Sequence, residues 1–185
     1  DYGDEAFLDM LDSFDEYKIP HIGAGHNISE AKKPYYFIIN GYKFAFVSAT
    51  RAEKYIMTPG ATEDSLGVFR CYDPTQLINT IKELRLENDY VIPIVHFGKE
   101  DSHELEDEQV SSAKAYIDAG ADIIYANTFG ANRYKLAECG YSVEQTISSG
   151  IKNAREAASG TDTLVALDIG PIGQLLEPTG TLTFE

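Results

Sequence analysis

Apolar and polar positions along this chain recur with periods that switch between those of helix and strand. From Gly3 to Lys18, the residues Phe7, Leu8, Leu11, Phe14 and Tyr17 share one stripe opposite an Asp/Glu face, predicting an amphipathic helix that Ile19-Pro20 ends. His21 to Gly25 reads as a short strand entering a Gly loop, either a plain turn or a close approach for a phosphate. Tyr36-Phe37-Ile38-Ile39 and Phe44-Ala45-Phe46-Val47 flank Asn40-Gly41, the dipeptide that suits a type I′ turn, so a hairpin is predicted over 35–49. Residues 50–71 show little periodicity beyond a short strand at 67–69, and read as a long loop serving as a lid or as a surface excursion. Asp73-Pro74 opens a helix whose apolar side is Leu77, Ile78, Ile81, Leu84 and Leu86.

Tyr90 to Val95 then reads as a buried strand delivering His96 to its C-terminal end. A helix over about 106–119 and a strand over 121–126 complete a predicted right-handed βαβ unit. Residues 132–138 read as helical with Gly140 just beyond, and Ser142-Val143-Glu144-Gln145 is a capping box opening a helix to about Ala158. Thr163 to Leu167 is a further buried strand, and Thr181 to Glu185 reads as the approach to another helix, implying a missing element. The expected fold class is α/β, a layered mixed sheet with flanking helices. It is organised around residues 117–132, where a helix end, a Gly turn, a strand and a polar loop follow one another.

At 185 residues and 43% hydrophobic, the chain can bury one core. Fifteen Lys and Arg against 30 Asp and Glu give a net charge of −15, which argues against a nucleic-acid backbone or an anionic membrane surface as partner. No apolar run approaches the ~20 residues that span a bilayer, so no membrane insertion is expected. Cys71 and Cys139 are too few and too isolated for a disulfide framework or a CxxC metal site.

His96, with Glu100 and His103 in the loop behind it, offers the N and O donors that Zn, Mn or Fe accept; a solvated loop is the plainer alternative. Asn127 and Thr128 at the exit of the strand over 121–126 offer hydrogen bonds to a ligand or caps to the following helix.

Asp1-Tyr2-Gly3, Ile19 to Asn27, the hairpin over 40–46, Val95-His96-Phe97-Gly98-Lys99-Glu100 and Ile117 to Asp122 together resemble the capsule-synthesis CapA family, linked to poly-gamma-glutamate production. The resemblance covers residues 1 to about 125. It implies a partial metallophosphoesterase-like sandwich, αββα in layers, with a two-metal site at the strand ends. His96 falls on the family's His-Trp-Gly-x-Glu motif, with Phe97 in place of Trp, and Glu100 falls on its Glu. The family's leading Gly-Asp strand and its Asn-Asn-His are expected upstream of Asp1. Where its Gly-His-x-His cluster should follow the strand, this chain has Ala126-Asn127-Thr128-Phe129. Most metal ligands are therefore expected to be absent, and the chain alone to be inactive. A small-molecule or polyglutamate-type substrate and a cell-envelope location go with this resemblance.

Gly120 to Tyr125, Asn127 to Asn132, Asn153 to Ala157 and Ala166-Leu167-Asp168-Ile169-Gly170-Pro171 through Pro178 resemble a different family, the homocysteine S-methyltransferases, close to the domain of cobalamin-dependent methionine synthase. This second resemblance covers about 117–185 and implies a βαβ-type extension that is part of a (β/α)8 barrel. It also implies a zinc thiolate site for homocysteine and a cytoplasmic location. The zinc Cys residues are expected outside this chain, and neither Cys71 nor Cys139 substitutes. Recognition of a small amino acid by Asn127, Thr128 and Asp168 is what remains, if the strands near Ile124 and Val165 lie side by side. The chain thus reads as two partial families joined at a shared helix–Gly-Ala-Asp–strand unit, with a natural fusion, an engineered one and an assembly error all open. The oligomeric state is open as well.

Overall fold

The computed structural model describes residues 3–51, 58–96 and 107–183. The chain divides into two compact units, Asp1–Asp122 and Ile123–Glu185. Its described elements form a mixed α/β structure with several small sheets and flanking helices.

In the first unit, helix α1 (Gly3–Glu16) buries only Leu11 of its apolar stripe, leaving Tyr17 beyond its end exposed. Strand β1 (Ala24–Gly25) pairs antiparallel with β4 (Gly67–Val68). Just after β1 comes a single helical turn, α2 (Ile28–Ala31), too short to show a periodic pattern. Asn27 caps it, its side chain accepting from the Glu30 N–H. Packing accounts for the Gly pair. A Cβ on Gly25 would lie 2.6 Å from the Ala31 nitrogen, so only Gly lets α2 sit against this turn.

The main sheet has the order β2-β3-β5, with β2 (Tyr35–Ile39), β3 (Tyr42–Thr50) and β5 (Tyr90–His96). Asn40 and Gly41 have φ values of 51 and 86, the two positive angles a type I′ turn requires, so the predicted hairpin forms. β3 then pairs in parallel with β5 from Phe44↔Tyr90 to Thr50↔His96. The crossover between them contains β4 and α3 (Thr75–Arg85). Asp73 accepts from both the Thr75 N–H and hydroxyl, which starts α3, although Pro74 occupies the cap position itself.

One face of this sheet carries Ala45, Val47, Ala49 and Val91 into a core with Leu77, Ile81 and Leu84 of α3 and Tyr116 and Ala119 of α4 (Asp107–Ala119). The spacing of Leu77, Ile81 and Leu84 puts them on one side of α3, and each such buried side chain stabilises by about 1.5–3 kcal/mol. The opposite face is an aromatic ladder. Phe37 stacks on Phe44 at 4.8 Å, and Phe44 stacks on Tyr90 at 4.8 Å.

The second unit contains β6 (Ile123–Ala126), α5 (Val143–Ala157) and β7 (Leu164–Leu167), with β6 and β7 parallel. The capping box forms as expected: Ser142 Oγ accepts from the Gln145 N–H, and Gln145 Oε1 accepts from the Ser142 N–H. Two expectations need correction. The strand around Ile124 pairs with β7 in a sheet of its own, so among the described residues the βαβ unit expected over 90–126 is not closed by a β5–β6 ladder. Residues 133–139 form successive turns rather than a helix. Asn132 accepts from the Lys135 N–H, but Tyr134 is exposed, and no apolar stripe is buried to propagate a helix. Near the end, Leu176 and Leu182 form an isolated bridge, and the last two residues of the stretch expected to approach a helix, 181–185, lie outside the described residues.

Candidate functional site

His96 ends β5, and the parallel register sets it opposite Thr50 at the end of β3. Its carbonyl accepts the Arg51 N–H at 2.8 Å, carrying the ladder one residue beyond both strands. Its imidazole is exposed at the C-terminal ends of two parallel strands, where ligands of such sheets gather. Glu100 and His103, the other two donors expected here, lie outside the described residues.

Thr50 and Arg51, which the sequence patterns did not single out, adjoin His96 through the ladder. Arg51 leaves β3 with its guanidinium 4.8 Å from the centre of the Tyr72 ring. Thr50 ties the following segment to the sheet, donating to the Phe69 carbonyl at 2.9 Å and accepting the Cys71 N–H at 3.2 Å. Cys71 is buried beside the Tyr116 hydroxyl; burial, and then the Cys71 thiol, push the Tyr116 phenol well above its ordinary value of 10. Tyr116 therefore stays a neutral hydrogen-bonding group. The available signal for Arg51 was a cation immediately after an apolar strand.

Among the described residues, no group of three or more His, Cys, Asp or Glu side chains converges to hold a metal. Taken alone, they do not fit a bridged metal pair, which needs several N and O donors on each ion. Of the three residues expected to bind metal, only His96 contributes a described donor.

In the second unit, β6 and β7 lie side by side with Ala126 opposite Leu167, so the loops carrying Asn127, Thr128 and Asp168 leave neighbouring strand ends. Asn127 is exposed, Thr128 is buried and Asp168 is half-buried. The Thr128 hydroxyl donates to the Asp168 carbonyl at 2.8 Å and accepts the Asp168 N–H at 3.1 Å. It thereby replaces the next rung of the ladder and is committed to backbone. α5 comes close to this loop at Gly150, where a Cβ would lie 3.0 Å from both the Asn127 carbonyl oxygen and the Thr128 methyl. Cys139 is exposed, its Sγ 3.6 Å from the Lys135 carbonyl, and no metal-binding group forms around it among the described residues.

Comparison with known proteins divides the chain in a similar place. Residues 1–128 match the family described as bacterial capsule synthesis protein PGA_cap, and residues 105–185 match homocysteine S-methyltransferase. The PGA biosynthesis protein CapA of Bacillus subtilis (strain 168) is 34% identical over 125 residues, covering 67% of this chain and 32% of that protein. The capsule biosynthesis protein CapA of Bacillus anthracis is 32% identical over 128 residues, covering 67% of this chain and 30% of that protein. The chain thus spans about a third of the length of the curated relatives it matches.

Proposed function

The chain belongs to the bacterial capsule synthesis family over residues 1–128, and from that premise we propose that its first unit serves capsule or poly-gamma-glutamate biosynthesis. Its centre is of metallophosphoesterase type and incomplete in this chain. His96 and Glu100, with His103 as a lesser helper, are the residues that would take a divalent Mn, Fe or Zn ion, and a polyglutamate-type or small-molecule substrate would approach the same strand ends. When bound, such an ion supplies an activated hydroxide and neutralises charge on displaced oxygens. The chain's own contribution is to hold the His96 imidazole at the ends of β3 and β5, with the Arg51 cation one residue beyond β3.

The observation that carries the proposed inactivity is internal to the chain. At the position of the family's His cluster stand Asn127, Thr128 and Phe129, and the Thr128 hydroxyl is already committed to Asp168. The test is turnover of a generic phosphoester with added Mn, compared with His96→Ala. Negligible turnover by both is expected, and robust activity abolished by the substitution would overturn the proposal.

A second reading is favoured by the match over 105–185 and by the side-by-side β6 and β7: part of a zinc-dependent homocysteine S-methyltransferase. It supplies Asn127, Thr128 and Asp168 for a small amino acid but no soft ligand set for zinc. Metal analysis with calorimetric titration of homocysteine separates the two. Stoichiometric zinc with homocysteine binding supports the methyltransferase, metal lost in His96→Ala supports an intact hydrolase centre, and neither result leaves the incomplete, non-catalytic chain.

A further inference from the structure

We propose that the free edge of β2 pairs antiparallel with β2 of a second copy, joining two three-stranded sheets into one six-stranded sheet across a two-fold axis. Among the described residues β2 is the edge of the sheet order β2-β3-β5, and its sequence is Tyr35-Tyr36-Phe37-Ile38-Ile39. It has no charge, no Pro and no Gly, in a chain carrying 45 charged residues among Asp, Glu, Lys and Arg, 30 of them acidic and 15 basic. Edge strands of soluble proteins are normally blunted by such residues or by a bulge. The β2–β3 register runs unbroken from Tyr35↔Phe46 to Ile39↔Tyr42, so no bulge is present either.

The turn fixes which backbone groups face outward. With a two-residue type I′ loop, Ile39↔Tyr42 is a hydrogen-bonded pair, and so are Phe37↔Phe44 and Tyr35↔Phe46. The N–H and C=O groups of Tyr36 and Ile38 therefore point away from β3. A second β2 in the register centred on Phe37 sets Tyr36 opposite Ile38 of the partner subunit, twice by symmetry, each pair exchanging two N–H···O bonds. Tyr35 then faces Ile39 of the partner subunit on the other side of the sheet, so the register is self-complementary on both faces.

The surface available matches such a contact. Tyr35, Tyr36, Ile38 and Ile39 are between 43% and 68% exposed. For side chains of their size this leaves roughly 400 Å² of mostly apolar surface along β2, about half of the ~800 Å² each partner covers in a standard interface, with the backbone edge adding to it. β2 itself brings no charge to the seam, and Glu87 beside Tyr36 and Lys43 opposite Ile38 are of opposite sign.

The test is sedimentation velocity of the full chain over a dilution series, with wild type, Ile38→Lys and, as a control on the far strand of the same sheet, Ile94→Lys. Hydrogen exchange of the wild-type Tyr36 and Ile38 amides at low and high concentration is followed in parallel. Expected are a concentration-dependent dimer, its loss in Ile38→Lys, its retention in Ile94→Lys, and slower exchange of both amides at high concentration. A monomer at all concentrations, open-ended oligomers, a dimer surviving Ile38→Lys, or unchanged exchange of both amides would each overturn the proposal. Loss of the dimer in Ile94→Lys would overturn it too, by pointing to face-to-face stacking of the aromatic ladders.

Discussion

Asp122 grips Val91 through two hydrogen bonds. Its N–H donates to the Val91 carbonyl at 2.9 Å, and its carboxylate accepts the Val91 N–H at 2.6 Å. Arg85 lies 3.5 Å from the other carboxylate oxygen, and burial raises the Asp122 pKa above its ordinary value despite both favourable contacts. Replacing Asp122 by Ala strands the N–H of a fully buried residue, at a cost of about 1–3 kcal/mol. Asp122→Asn retains the acceptor and should cost less. Urea denaturation of both variants measures the difference, and equal losses would show that the carboxylate charge, not its hydrogen bond, matters.

Thr128 plays the corresponding part between β6 and β7. Thr128→Val keeps the shape but removes both bonds to the Asp168 backbone, and should destabilise the second unit by about 1–3 kcal/mol, with Thr128→Ser nearly neutral. Amide exchange at Asp168 reports this directly. Protection unchanged in Thr128→Val would mean that the bond contributes nothing.

His26 sits between two carboxylates, Glu30 at 2.8 Å from Nδ1 and Asp12 of α1 at 3.4 Å from Nε2. The Glu30 hydrogen bond, ahead of the Asp12 contact, raises the His26 pKa above 6.5, and the His26 N–H and ring hold Glu30 below 4.5. The His26 contribution is therefore complete below pH 6.5 and lost as pH rises through the raised value. That of Glu30 is present above 4.5 and lost as pH falls through the lowered one. The attachment of α1 at Asp12 should be firmest between these limits. A proton NMR titration of His26 in wild type and Glu30→Gln checks this, and the same midpoint in both would remove Glu30 as the cause.

Gly25→Ala should be among the most damaging single substitutions in the first unit. The new methyl would meet the Ala31 backbone nitrogen at 2.6 Å, a contact relieved only by moving α2, at about 1–3 kcal/mol. Thermal melting of this variant beside Gly41→Ala distinguishes crowding from backbone strain, since Gly41 has positive φ but nothing within 4 Å of a Cβ.

What the sequence made legible was local. Asn40-Gly41 announced the hairpin because few dipeptides reach two positive φ angles, and Ser142 with Gln145 announced the start of α5 because both capping partners lie within four residues. Periodicity did not give the partner of the strand at Ile124, since it identifies a strand and a buried face but not its neighbour; the pairing with the strand near Val165 entered only as a condition of the second resemblance. α2 was missed because four residues carry no period, and the helix expected near Tyr134 failed because those residues bury too little to outweigh the entropy of ordering them. At the candidate site, His96 was found at its strand end by residue type. Arg51 was not, because its place beside His96 comes from a parallel register between distant parts of the chain.

That register also sets the tempo of folding. The β2–β3 hairpin needs only its own two-residue turn and belongs to a class of motif that closes in about 1–10 μs. Phe44 and Tyr90, by contrast, stand 90 − 44 = 46 positions apart, so joining β5 to β3 must await closure of a long loop. Until β5 arrives, the nascent hairpin presents two bare backbone edges in place of one, with Phe44 and Phe46 lacking their cover. At high concentration, encounters between chains at this stage compete with completion of the sheet, so the yield of refolded protein is expected to fall with concentration even where the finished fold is stable.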